Sequence, residues 1–221
     1  MDDMEADRDA MVEVIRANGV RDEAVLAAMG KVRRHRYLPE RRRDPDAYGD
    51  HPCPIGHGQT ISQPYIVAYM TERIEVEPGD RILEIGTGSG YQAAVLAELG
   101  AAVYSVEIIP ELAARARATL AAEGYSSVRL KTGDGHAGWP EHAPYDAVVV
   151  TCAPTEVPEA LPRQLKEGGR MILPVGGGIQ QLVVLRKRGA AFEEVPDLHV
   201  CFVPMVRARG EPESESRRLD R

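Results

Sequence analysis

Apolar and polar positions change period several times along the chain, and each change marks an element. Met11, Val12, Val14 and Ile15 recur at near-helical spacing from about residue 8 and stop at Asn18-Gly19. Asp22 suits the cap of a second helix that turns Val25, Leu26 and Met29 inward and ends at Gly30. Residues 44–63 show no period and are rich in Pro, Gly and His, which predicts a long irregular loop of functional use. A helix then runs through Tyr65–Met70 behind Pro64. Next come Ile82-Leu83 and Ile85 as a buried strand, a helix over Tyr91–Leu99, a strand over Ala102–Glu107 and a helix over Pro110–Ala122. Strands at Val128–Lys131, Tyr145–Thr151 and Gly169–Val175 follow, with a short helix at Pro158–Leu165. This alternation predicts a mostly parallel sheet covered on both faces. Residues 181–187 and 199–206 read as two late strands with no helix between them, which predicts an antiparallel strand at the sheet edge.

Length changes little in this picture. A chain of 221 residues fits one α/β domain. We assign residues 1–209 to it, with helices and a loop over 1–78 and a Rossmann-like core over 79–209. Residues 210–221 are charged and almost without apolar side chains, so a disordered tail is expected. A net charge of −7 argues against a nucleic-acid partner. The basic run Lys31–Arg43 is either a solvated surface or a positive rim for an anionic substrate. Cys53, Cys152 and Cys201 form no C-x-x-C pair, so they are expected to pack as small apolar residues and to hold neither disulfide nor metal. No apolar run approaches a membrane span, and the acidic start lacks the order of a signal peptide. A cytoplasmic protein without membrane contact is the expectation.

The candidate chemistry centres on Glu84-Ile85-Gly86-Thr87-Gly88-Ser89-Gly90-Tyr91, between the first long strand and its helix. Glycine permits a sharp turn and close approach of a ligand to the backbone, and free N–H groups sit at the helix start. The spacing is G-x-G-x-G, tighter than the dinucleotide G-x-G-x-x-G. Glu107 ends the next strand about 20 positions beyond Gly86, where a carboxylate can accept both ribose hydroxyls of an adenosine. The tight spacing and Glu84 resemble the S-adenosylmethionine site of Rossmann-like methyltransferases; a nicotinamide enzyme is the alternative at this stretch. Asp134, beside Gly135 at the end of the third strand, is either an acceptor for the adenine amino group or a turn residue. Ser62 suits an N-cap of the helix behind Pro64, and local logic ranks that first.

The segment Pro54-Ile55-Gly56-His57-Gly58-Gln59-Thr60-Ile61-Ser62-Gln63-Pro64-Tyr65-Ile66-Val67-Ala68 makes the reading specific. It resembles the signature segment of the protein-L-isoaspartate O-methyltransferases. The glycine loop, Gly133-Asp134-Gly135, Asp146–Pro154, Leu165–Arg170 and Phe202-Val203-Pro204-Met205-Val206 follow in that family's order, so residues from about 20 to 206 are covered. The resemblance implies methyl transfer from S-adenosylmethionine to the α-carboxylate of L-isoaspartyl residues in damaged proteins and peptides. The ester then collapses to a succinimide that reopens in part to aspartate. It also implies a Rossmann-like sheet with an altered order of its last strands. Ser62 and Thr60 match the active-site hydroxyls. Glu84, Gly86, Thr87, Gly88, Ser89, Gly90, Glu107, Asp134 and Gly135 match cofactor positions. Ile61, Gln63, Phe202, Val203 and Pro204 match the substrate side. Arginine stands within Val32-Arg33-Arg34 where the family usually has a proline, and Cys152 replaces a usual alanine.

The implied chemistry asks little of the protein. A carboxylate is ionised at pH 7 and is already a nucleophile, so neither a general base nor a metal is needed. His51, His57 and His136 therefore read as structural or loop residues. A small-molecule methyltransferase would share the glycine loop but has no need of the 54–68 segment. The Phe202-Val203-Pro204 stretch is either an ordinary edge strand or an edge to which a peptide adds.

Overall fold

The computed structural model describes residues 4–39 and 46–207. Arg41–Arg43 of the basic run and the charged tail over 210–221 lie outside them. Two helices open the chain, α1 (Glu5–Ala17) and α2 (Glu23–Lys31). Asp22 caps α2 as expected, its carboxylate accepting from the N–H groups of Ala24 and Val25. A short 3-10 turn, Arg34–Tyr37, leads toward the segment expected to be an irregular loop.

That segment contains a hairpin, β1 (Cys53–Gly56) and β2 (Gln59–Ile61). His57 and Gly58 at its tip both have positive φ, 55° and 71°, which closes the turn. Its inward residues Cys53, Ile55 and Ile61 are buried, so the hairpin is seated on the domain. Helix α3 (Pro64–Arg73) follows, with Pro64 at its first turn.

The seven-stranded sheet is built from β3 (Arg81–Ile85), β4 (Ala102–Glu107), β5 (Arg129–Thr132), β6 (Tyr145–Val150), β7 (Leu165–Val175), β8 (Gln180–Arg188) and β9 (Ala191–Val200). Its order is β5-β4-β3-β6-β7-β8-β9. The first five are parallel, and the strand order reverses between β3 and β6, where crossovers diverge. Helices α4 (Tyr91–Glu98) and α5 (Pro110–Ala122) make the crossovers to β4 and β5, and α6 (Ala160–Arg163) precedes β7.

Strand alternation divides the core in two. Ile82, Val103, Ala147, Val149 and Ile172 meet the side chains of α1 to α5 on one face. Leu83, Ile85, Tyr104, Val148 and Met171 face the other way, under Leu161 and Trp139. The last three strands run in chain order as a meander. Antiparallel pairing thus falls at the expected end of the sheet, with β8 as the reversed strand and β9 as the edge. The strand expected over 199–206 is displaced: β9 ends at Val200, and residues 201–207 form no strand beyond an isolated bridge between Pro204 and Ala153. No helix among the described residues is long and apolar enough to cross a membrane.

Candidate active site

The carboxyl ends of β3 and β4 open into a cavity at the topological switch point, with about 740 Å³ of empty space counted out to its mouth. The glycine turn forms one wall. Gly86 sits at φ 95°, and a Cβ there would lie 2.6 Å from Thr151 Oγ1. Only glycine satisfies both the backbone angle and that approach. Thr151 in turn donates to the carbonyls of Ile85 and Gly86, at 3.1 and 2.6 Å, so the end of β6 shapes the turn. Gly135 closes the floor at another tight approach, since a Cβ there would stand 2.4 Å from Ile85 Cγ2. Thr87, Gly88, Ser89 and Glu107 also line the cavity.

Glu107 is buried and doubly engaged. One carboxylate oxygen accepts from Gly88 N–H at 2.7 Å, the other from Ile109 N–H at 2.9 Å. The side chain thus ties the glycine turn to the start of α5 while lining the cavity. Cys152 lies beside it, and burial first, then the charge of Glu107, pushes its thiol up to about 12. It stands in the wall as a neutral thiol. Cys201, expected to pack away, is exposed.

Three of the positions expected to serve a cofactor stand behind the wall. Gly90 supplies the N-cap of α4 at φ 90°. Asp134 caps the turn over Gly135–Ala137, with Oδ1 accepting from the backbone N–H of His136 and paired with that ring at 2.8 Å. Glu84 is fully buried beneath the loop, where the Ser105 hydroxyl donates to it and Thr87 bonds Ser105. It braces the turn from below and does not reach the cavity. Burial, opposed by the Ser105 hydrogen bond and reinforced by the Glu107 charge, raises its carboxyl to about 8. The native state therefore holds this proton more tightly than the unfolded chain. The stability it confers is full below about 4.5 and is lost as pH rises toward about 8. We expect wild type to lose stability relative to Glu84→Gln between pH 5.5 and 8.5, by a few kcal/mol on the scale of the shift. Urea midpoints at the two pH values check this, and parallel midpoints for both proteins would contradict it.

A second, outer groove, with about 950 Å³ of empty space counted out into the open solvent, adjoins the cavity. Thr60, Ser62, Thr151 and Val203 line both. Ile61 lines the inner cavity, Gln63 and Phe202 the outer groove, and Pro204 the inner side. His199, Ile179 and Cys201 also line the groove. The 201–207 segment is held across the opening as a strap. Ala153 N–H donates to Val203 C=O and Met205 N–H to Ala153 C=O, each at 2.8 Å, while the Gln180 side chain bonds both backbone groups of Phe202.

Ser62 is not the cap of α3. Gln63 holds the N-cap position without a side-chain cap bond, and Asp50 reaches in instead. Its Oδ1 accepts from Tyr65 N–H at 2.9 Å and its Oδ2 from the Gln63 amide at 2.8 Å. Ser62 instead lines both cavities. Asp50 carried no local signal, lying 15 residues from its partner. Thr151 did carry one: a polar residue at the end of the strand beside the first βα turn.

Of the described residues of the basic run, Lys31, Arg33 and Arg36 are exposed as a solvated surface would have them, Lys31 paired with Glu98 and the two arginines with Glu123, whereas Arg34 is fully buried. His57 lies at the exposed hairpin tip and His136 against Asp134.

A glycine-lined cavity at the switch point, an acidic residue ending the second strand and a hydroxyl-bearing wall define a Rossmann-like, S-adenosylmethionine-dependent methyltransferase. Comparison with known proteins is narrower. The family model for protein-L-isoaspartate(D-aspartate) O-methyltransferase matches residues 6–210. A relative from Gloeobacter violaceus named protein-L-isoaspartate O-methyltransferase is 55% identical over 199 residues, covering 89% of this chain and 97% of its own. One of the same name from Methanoculleus marisnigri is 54% identical over 210 residues, covering 92% and 95%. A solved protein-L-isoaspartate O-methyltransferase superposes with a TM-score of 0.80 at 30% identity, covering 89% of this chain and 65% of that longer one. A Plasmodium falciparum structure in complex with S-adenosyl-L-homocysteine has the same fold, with a TM-score of 0.81 over 91% of this chain and 99% of that one, at 24% identity. The chain belongs to the protein-L-isoaspartate O-methyltransferase family. It is a protein-repair methyltransferase that uses S-adenosylmethionine.

Proposed function

We propose that the inner cavity holds S-adenosylmethionine and the outer groove an isoaspartyl peptide, with the α-carboxylate meeting the methyl at the wall between them. The observation that carries this reading is the wall itself, where Thr60 and Ser62 belong to both spaces. The inner residues suit the cofactor: Gly86 and Gly135 line the cavity at points where neighbouring side chains leave no room for a Cβ, and Glu107 offers acceptor oxygens to a ribose. Gly86, Thr87, Gly88, Ser89, Glu107 and Gly135 would hold it, with Glu84, Gly90 and Asp134 keeping those residues in place. Bound there, S-adenosylmethionine supplies a methyl carbon on sulfur; the carboxylate oxygen bonds to that carbon as the carbon–sulfur pair leaves to sulfur.

The protein's part is alignment and exclusion of water. Thr60 and Ser62 hydroxyls donate to the carboxylate and fix its direction. Ile61 and Val203 close the wall between the spaces, and Gln63, Phe202 and Pro204 flank the peptide's path. No residue has to remove a proton. The partners are damaged proteins and peptides bearing L-isoaspartate, with no nucleic acid, membrane or metal in the reaction. Three cysteines outside any disulfide, one of them exposed, suit the reducing cytoplasm, where we place the enzyme.

The test is labelled-methyl transfer to two peptides that differ only in carrying isoaspartate or aspartate. Label is expected in the isoaspartyl peptide and essentially none in its partner. Equal labelling of the two would sink the assignment.

A further inference from the structure

Arg34 heads the fully buried side chains of the described residues, and it sits in the turn that follows α2. Its three nitrogens reach three separate stretches of backbone. Nε donates to Ala47 C=O at 2.8 Å, Nη1 to Ser62 C=O at 2.9 Å and Nη2 to His51 C=O at 3.2 Å. Ala47 and His51 precede the β1–β2 hairpin and Ser62 follows it, so one guanidinium gathers both ends of the hairpin. Its carbon lies 5.3 Å from the ring centre of Tyr91, which opens α4 and lines the inner cavity. The same cation thus touches the segment that carries Thr60 and Ser62 and the helix start that carries the glycine turn.

Stability alone is a poor account of this arrangement. Burying a guanidinium costs several kcal/mol, and apolar side chains of like volume often stabilise a fold as well or better. An arginine always keeps its charge and presents donors in a rigid planar fork. That fork fixes three carbonyls relative to one another, which an apolar side chain cannot do.

We infer that Arg34 is a positioning residue for methyl transfer, setting the place of Ser62 at the wall between the two cavities. The inference rests on the reading of Ser62 as the group that orients the substrate carboxylate. Lysine in its place keeps the charge but lacks the fork, so the hairpin ends lose their common anchor.

The test is a double-mutant cycle on the full chain with Arg34→Lys, Ser62→Ala and the pair. It is run below the melting temperature of each variant, with cofactor affinity as the check of folding. Arg34→Lys is expected to bind S-adenosylmethionine within about threefold of wild type while its kcat falls roughly tenfold or more, the scale of a misdirected hydrogen bond to a charged group. Ser62→Ala should cost far less in the Arg34→Lys background than in wild type, because a misplaced hydroxyl has little left to lose. Losses that simply add would overturn the positioning role. Wild-type turnover in Ser62→Ala would instead remove the reading of Ser62 itself. Arg34→Gln serves as a second variant, and a chain that folds with neither substitution overturns the proposal too, since the arginine would then serve the fold as a whole.

Discussion

Ser62→Ala should fold like the wild type, bind cofactor normally and turn over roughly 10- to 150-fold more slowly. The rate follows from losing one hydrogen bond to a charged group, about 1.5–3 kcal/mol, felt in the transition state. The stability follows from the structure. A serine that capped α3 would cost about 0.5–2 kcal/mol on truncation. Here Asp50 supplies the acceptor for that helix start, and the Ser62 side chain is no part of it. The change should therefore stay within about 0.5 kcal/mol, as for a half-exposed side chain away from caps and core. Single-turnover methyl transfer to an isoaspartyl peptide reads the rate, and urea unfolding reads the stability. A folded variant with unchanged turnover removes Ser62 from the chemistry; a large loss of stability restores it to the fold.

Glu107→Ala is expected to lose on two counts. From sequence this residue offers only its ribose contact, and its removal should leave the fold intact. The structure adds that both carboxylate oxygens already hold backbone N–H groups, of Gly88 and Ile109. Alanine leaves those donors without their acceptor, at about 1–3 kcal/mol in stability. It also removes the proposed acceptor for the ribose, which on the scale of one charge-assisted bond is about 1.5–3 kcal/mol of affinity. Calorimetric titration with S-adenosylmethionine should show a Kd raised at least tenfold, with a lower unfolding midpoint in the same preparation. Unchanged affinity would take Glu107 away from the ribose, and an unchanged midpoint would mean that the turn holds without it.

The parallel core was legible because its signals are local. An apolar run, a glycine turn and a helix that starts at proline each act within a few residues, and α5 forms over Pro110–Ala122 as read. The features that were not legible depend on distant partners. Asp50 looked like one more loop residue, yet it caps a helix 15 positions away. Arg34 looked like part of a solvated run, because nothing near it announces that carbonyls up to 28 residues off will surround it. Strand β9 was hidden for another reason. Glu193 and Glu194 break the alternation of an edge strand whose outer side faces water. The hairpin of Cys53–Ile61 is too short to show a period, and only its seat on the domain makes it ordered.

The partition between cavity and groove has a consequence for the damaged proteins themselves. The groove opens outward, so the bulk of a protein acceptor never has to enter the inner space, and its size sets no limit. On the proposed reading, what it must offer is a stretch of chain free enough to lie in the outer groove with its carboxylate turned toward Thr60 and Ser62. Inside a well-packed domain such a stretch comes free only by local opening, whose free energy ranges from near zero at frayed ends to that of global unfolding. Repair then falls first on termini and loose loops, and the pace at which a buried lesion is methylated is set by the breathing of its host.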